Sequence, residues 1–134
     1  MTGFPLKIVT PDGLIYDGQA EMVVVRTAEG DMAVMARHIN CVVPLGMGTA
    51  TITANGERKI AACIGGMLSV NSGACTLVPT TFEWAEDIDL HRVEKSQDRA
   101  KTVLANNSAT NTEIRLAEAR LKRALVRKSA ASYK

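Results

Sequence analysis

The sequence predicts a β sandwich or barrel over roughly the first two thirds of the chain, followed by an antiparallel two-helix hairpin. Three observations carry this. Through the first part, hydrophobicity alternates and turn residues recur about every eight to twelve positions, the pattern of short strands. From Leu90 onward apolar residues recur every three or four positions, and neither Gly nor Pro appears. The charge also changes at this seam, which runs from Glu83 to Val93. Residues 1–88 carry five Lys/Arg against nine Asp/Glu and residues 89–134 eleven against five, so the halves are −4 and +6 and sum to +2. The expected division is residues 1–86 for the β unit and 87–134 for the helical unit.

Taken in order, Phe4, Leu6 and Ile8 alternate with polar or small positions as in a strand that ends at the turn Pro11-Asp12-Gly13. Leu14 to Tyr16 reads as a second short strand, with Asp17-Gly18 turning the chain into Ala20 to Thr27 and its β-branched run. Glu29-Gly30-Asp31 turns it again. Met32–Met35 and Cys41–Val43 continue the pattern, and Thr49–Thr53 leads into Ala54-Asn55-Gly56-Glu57. The Asn-Gly pair suits the two positive φ angles of a type I′ hairpin turn, with Arg58–Ile64 as the return strand. Met67–Val70, the turn Asn71-Ser72-Gly73 and Ala74–Val78 follow.

In the second half Asp89 is placed to N-cap a helix whose apolar stripe is Leu90, Val93, Ala100, Val103 and Leu104. Asn106-Asn107-Ser108 ends it, because these short polar side chains compete for backbone hydrogen bonds. Thr110 and Glu113 form a capping box for a second helix with Ile114, Ala117, Leu121 and Leu125 on one stripe. The stripes are narrow and Ala-rich. A hairpin of this kind buries little apolar area, at about 25 cal/mol per Å², and is expected to be mobile.

Bulk properties exclude several classes. The chain of 134 residues supports one modest core, and its longest apolar runs, such as Ile60–Ile64, are far shorter than the roughly 20 residues of a membrane span. The N-terminal residues lack the pattern of a secretory signal, so a cytosolic setting is expected. Cys41, Cys63 and Cys75 are odd in number and lack Cys-x-x-Cys spacing, as expected of reduced thiols, and with only His38 and His91 beside them no metal site is expected. Gly65-Gly66 lies between strands and lacks phosphate-loop spacing, which suits a bulge or sharp bend. There is no Gly-x-Ser-x-Gly elbow, and His38 has no orienting acid or nucleophile placed beside it by the sequence, so no catalytic constellation emerges.

The arginines of the helices carry the strongest signal of a ligand. Asp89, Arg92 and Arg99 lie at i, i+3 and i+10 on the first helix, and Arg123 and Arg127 at i and i+4 on the second. If those faces meet, four guanidinium groups converge, an arrangement that repels itself unless an anion enters, and guanidinium suits bidentate phosphate contacts. A polyphosphate is the natural candidate, while an ordinary solvated face explains the same spacing. A basic nucleic-acid- or anion-binding module is the alternative function. Nucleic acid is not expected as a partner, because Tyr133 is the only aromatic residue in the helical half.

The order Phe4 to Gly13, Glu29-Gly30-Asp31 followed by His38, Gly65 to Val70, Ala85 to Asp89 and Leu121 to Ala124 resembles the epsilon subunit of F-type ATP synthases, over nearly the whole chain. The resemblance implies an N-terminal ten-stranded β sandwich followed by a C-terminal two-helix hairpin. It further implies a non-catalytic central-stalk role at the cytoplasmic face of the bacterial membrane, peripheral and attached only through the complex. The sandwich would bind the gamma subunit and the ring of c subunits, with Glu29, Gly30, Asp31 and His38 at the end facing the c ring. The hairpin would extend toward the catalytic head and restrain ATP hydrolysis. No cofactor is required, but ATP is implied as a regulatory ligand through Ile88-Asp89-Leu90-His91-Arg92, with Glu83, Arg99, Arg123 and Arg127 as further site residues. Val93 departs from the Ala of the family's motif, and crowding of the ligand or weaker hairpin closure is the expected cost. The segment Val34–Asn40 also departs, lacking the family's prolines on either side of the His and the Gly at the place of Ala33, so the loop's shape is expected to differ.

Overall fold

The computed structural model describes residues 2–133. Ten strands form two five-stranded sheets that pack face to face, and two helices follow. The strands are β1 (Phe4–Thr10), β2 (Gly13–Ala20), β3 (Met22–Thr27), β4 (Gly30–Met35), β5 (Cys41–Pro44), β6 (Met47–Ala54), β7 (Glu57–Ile64), β8 (Met67–Asn71), β9 (Ala74–Val78) and β10 (Thr81–Trp84). One sheet has the order β2-β1-β9-β8-β5 and the other β10-β7-β6-β3-β4. Only β1 and β9 pair in parallel; every other pairing is antiparallel.

Strand alternation decides which side chains fill the space between the sheets. Phe4, Leu6 and Ile8 of β1 point inward with Val23 and Val25 of β3, Ile52 of β6, and Leu68, Val70, Cys75 and Leu77 of β8 and β9. Burial pushes the Cys63 thiol up to about 12 and the Cys75 thiol up to about 11, the latter also through nearby Cys41, so both stay neutral and pack as small apolar groups.

The turn chemistry accounts for the connections. Asn55 and Gly56 have φ of 53° and 77°, the two positive values that a type I′ turn needs, and Ala54 pairs with Glu57 across it. Gly65 and Gly66 form the sharp bend between β7 and β8, again with positive φ. A side chain at Gly66 would place its Cβ 2.1 Å from the Val78 carbonyl oxygen, so this position admits only Gly.

One expected turn does not form. Asp17-Gly18 is not a turn: β2 runs through it, with Lys7 paired to Asp17 and Leu6 to Gly18. The Tyr16 ring lies along the strand over Gly18, and its hydroxyl donates to the Gln19 carbonyl at 2.6 Å, filling the room the missing side chain leaves. The tenth strand, Thr81–Trp84, alternates polar and apolar residues: it pairs with β7, Phe82 and Trp84 pack against the core, and Thr81 and Glu83 take the opposite face.

A one-turn 3₁₀ helix, Ala85–Asp87, links the sandwich to α1 (Leu90–Ala105) and α2 (Asn111–Ala131). Asp89 caps α1 by accepting the Arg92 backbone N–H at 3.2 Å, and Thr110 caps α2 by accepting that of Glu113 at 3.2 Å. The hairpin lies on the outer face of the second sheet. There Ile88, Val93, Ala124, Ala130 and Ala131 pack with Ala62 of β7. The buried face of α2 is Ala117, Ala124, Ala130 and Ala131, and Leu125, expected on the stripe, is 47% exposed. Leu90 of α1 is likewise exposed. A helix that must approach both a partner helix and a sheet closely turns its small residues inward, and its leucines lose that contest. Among the described residues no helix is long and apolar enough to cross a membrane.

Candidate functional site

The seam between the sandwich and the hairpin contains a cavity of about 490 Å³. Its floor comes from the paired strands β7 and β10. Ala62 pairs with Glu83 and Ile64 with Thr81, so the four side chains share one face of the ladder. Its walls come from the helices, with Arg92 and Ser96 one turn apart on α1 and Arg120, Arg123, Ala124 and Arg127 at i, i+3, i+4 and i+7 on α2. Small side chains at Ala62, Ser96 and Ala124 leave the space open. The volume falls within the ordinary range of small-molecule sites, about 300–1,000 Å³.

Four arginines line this cavity against one carboxylate. Arg127 is committed to that carboxylate through Nε to Oε1 of Glu83 at 3.2 Å and Nη2 to Oε1 and Oε2 at 3.0 and 3.2 Å. This forked pair ties α2 to β10, and at 27% and 32% side-chain exposure it is better shielded from solvent than a surface ion pair. Among the described residues the guanidinium groups of Arg92, Arg120 and Arg123 have no ion-pair partner. The cavity thus holds three uncompensated cations, which is chemistry for an anion. No cluster of three or more His, Cys, Asp or Glu that could hold a metal occurs among the described residues.

Of the residues expected at the site, Glu83, Arg92, Arg123 and Arg127 converge. Asp89 and Arg99 do not line the cavity. Asp89 spends its carboxylate on the helix cap. Arg99 is seven residues beyond Arg92, on the same face but about 10 Å further along the axis, and so passes the cavity by. Arg120 was missed, although its i, i+3, i+7 spacing with Arg123 and Arg127 carries the signal. Val93 does not line the cavity either: fully buried, it packs beneath the hairpin against the Ala-rich cluster, so it does not crowd the space where an anion would enter and it adds to closure.

The other expected surface divides in two. Glu29 and Gly30 form the tight turn at the start of β4, where the Thr27 hydroxyl donates to the Gly30 carbonyl at 2.7 Å and Asp31 pairs with Arg26 at 3.0 Å. His38 lies three residues past the other end of that strand, in a loop where its Nδ1 is 2.8 Å from the Ile39 carbonyl and Arg37 takes a φ of 67°. The turn before β4 and the crossover from β4 to β5 in the other sheet lie at opposite ends of a six-residue strand about 20 Å long. One end of the molecule therefore cannot present all four residues.

Comparison with known proteins covers the whole described chain. The family model for the ATP synthase delta/epsilon chain β-sandwich domain matches residues 3–85, and that for the long alpha-helix domain of the same chain matches residues 86–132. The chain belongs to the ATP synthase delta/epsilon family. Within this family it is 34% identical over 134 residues to the ATP synthase epsilon chain of Shouchella clausii, covering 100% of this chain and 98% of that one. It is 39% identical over 122 residues to that of Bacillus velezensis, covering 91% and 92%. Among solved structures, a chain of the Euglena gracilis mitochondrial ATP synthase shares the fold with a TM-score of 0.84 at 21% identity, covering 100% of this chain and 83% of that one. A chain from the central stalk and c ring of the Tetrahymena thermophila enzyme does so at 0.60 and 15%, covering 95% of each.

Proposed function

We propose that this protein is a non-catalytic central-stalk subunit of a bacterial ATP synthase, whose hairpin closes over the sandwich in a form that ATP stabilises. Family membership supports the stalk role, and the sources of the two related structures, an F1/c-ring assembly and a central stalk with its c ring, support the gamma subunit, the c ring and the catalytic head as partners. Attachment to the membrane is then peripheral, through the complex. The turn carrying Glu29, Gly30 and Asp31 is the surface proposed for the c ring, and His38, at the far end of β4, is left out of that contact.

The observation that carries the ligand reading is the cavity with four arginines and one glutamate between hairpin and sandwich. ATP brings a polyanion that would neutralise cations from two different helices, which favours the closed arrangement over any in which the helices part. Arg92 on α1 and Arg120 and Arg123 on α2 are the groups for the phosphates. The Glu83 carboxylate, held by Arg127, is an acceptor for the adenine amino group or the ribose hydroxyls. Thr81 and Ser96 add hydroxyls to the lining. Opened, the basic helices are suited to acidic surface on the catalytic head, the arrangement proposed to restrain hydrolysis.

Calorimetric titration of the isolated protein with ATP tests this reading. Wild type is expected to bind, and Arg92→Ala to lose about tenfold or more in affinity, the worth of one charge-assisted fork. Absence of heat with wild type at ~1 mM ATP, where even a millimolar Kd is detectable, would sink it. Co-purification of a gamma subunit with the tagged protein tests the stalk assignment separately.

A further inference from the structure

Arg120 is the lining residue whose role the family resemblance does not supply, and its surroundings specify one. It faces the cavity from α2 one turn before Arg123 and two turns before Arg127, with no carboxylate paired to it among the described residues. Arg120 and Arg123 are adjacent, uncompensated like charges on one helix face, and such a pair opposes helix formation. Arg127 is already neutralised by Glu83 through its fork. The guanidinium groups left free number three, Arg92, Arg120 and Arg123, and each fork suits one phosphoryl group.

We propose that Arg120 is a specificity-determining residue that makes this cavity select a chain of three phosphoryl groups over a chain of two. The inference rests on the ATP reading of the cavity and deepens it. Two free guanidinium groups serve a diphosphate chain as well as three do, so the third adds affinity only for the longer ligand. Because the added contact is with phosphate alone, selectivity by chain length extends to inorganic polyphosphates that carry no base.

The test is a titration series at fixed ionic strength with ATP, ADP, inorganic tripolyphosphate and pyrophosphate. Wild type is expected to prefer the three-phosphoryl member of each pair. Arg120→Gln is expected to weaken ATP and tripolyphosphate about tenfold while changing ADP and pyrophosphate by less than about threefold, so the preference collapses. Gln has nearly the helix propensity of Arg and the position is solvent-exposed, so the variant retains the fold, which circular dichroism verifies. Arg115→Gln, also exposed on α2 but outside the cavity, removes the same charge and is expected to leave the preference intact. Equal losses for both chain lengths, no change in either, or the same collapse in Arg115→Gln would overturn the role of Arg120. Failure of wild type to bind any of the four ligands overturns the ATP reading along with it, whereas ATP binding with an unchanged preference in Arg120→Gln overturns only the role given to Arg120.

Discussion

Val93 follows Arg92 on α1 but packs beneath the hairpin and takes no part in the cavity lining. As a departure from a nucleotide motif it reads as an obstruction, but its side chain is fully buried against Ile88, Ala62 and Ala124 and leaves the cavity lining to Arg92 and Ser96. Val93→Ala removes two buried methyl groups and leaves a void, so it is expected to cost about 1.5–3 kcal/mol of hairpin docking. A lower melting temperature, faster amide exchange in α1, and ATP affinity unchanged or reduced are the expected readouts. Tighter ATP binding in Val93→Ala would restore the obstruction. Arg99 and Arg120 make the same point in opposite directions. Angular position on a helix is legible in residue spacing, and seven residues, close to two turns, put Arg99 on the face of Arg92. Distance along the axis matters only once the partner strands are placed, and it is the docking on β7 and β10 that excludes Arg99 and admits Arg120.

Elements were legible where local chemistry dominates and illegible where a neighbour decides. The Asn55-Gly56 turn and both helix caps depend on the residues that form them, and all three occur as expected. Gly18 carries turn chemistry yet stays in β2, because a continuous ladder with β1 and the Tyr16 ring over it outweigh the preference of an isolated Asp-Gly pair. The buried face of α2 was also misread at Leu125, since closeness of approach, not hydrophobicity, chose Ala124, Ala130 and Ala131. Those small residues bury little area each, so α2 depends on its cap and on the Glu83–Arg127 fork more than a Leu-rich helix would. Thr110→Ala is accordingly expected to destabilise the hairpin by about 1 kcal/mol, the usual worth of an N-cap. Hydrogen exchange should place the effect in the first turn of α2 and leave the sandwich strands unchanged. Equal acceleration throughout the sandwich would mean that the two parts unfold as one unit.

At the scale of the molecule, a large apolar core in the sandwich is joined to a hairpin held by an Ala-rich contact, one fork and a cationic cavity. The first resists opening, while in the proposed function the second is balanced closely enough for a ligand to bias it. A ligand that binds only the closed form stabilises it by RT ln(1 + [L]/Kd), which at ten times Kd is about 1.4 kcal/mol. That amount shifts a near-balanced hairpin about tenfold and leaves a strongly biased one almost where it was. The predicted consequence is an ATP-dependent rise in melting temperature of about 5 °C for a chain of this size if hairpin and sandwich melt together. If the hairpin melts separately, only the helical signal moves. In either case the rise must shrink as salt is raised, because three uncompensated cations lose attraction for a polyanion as the Debye length falls from ~10 Å at 0.1 M to ~3 Å at 1 M. A scan by circular dichroism at 222 nm, with and without ATP at both salt concentrations, measures each part of this. A rise that is insensitive to salt would place the ligand's energy in apolar contacts, and the arginine cavity would then not be its site.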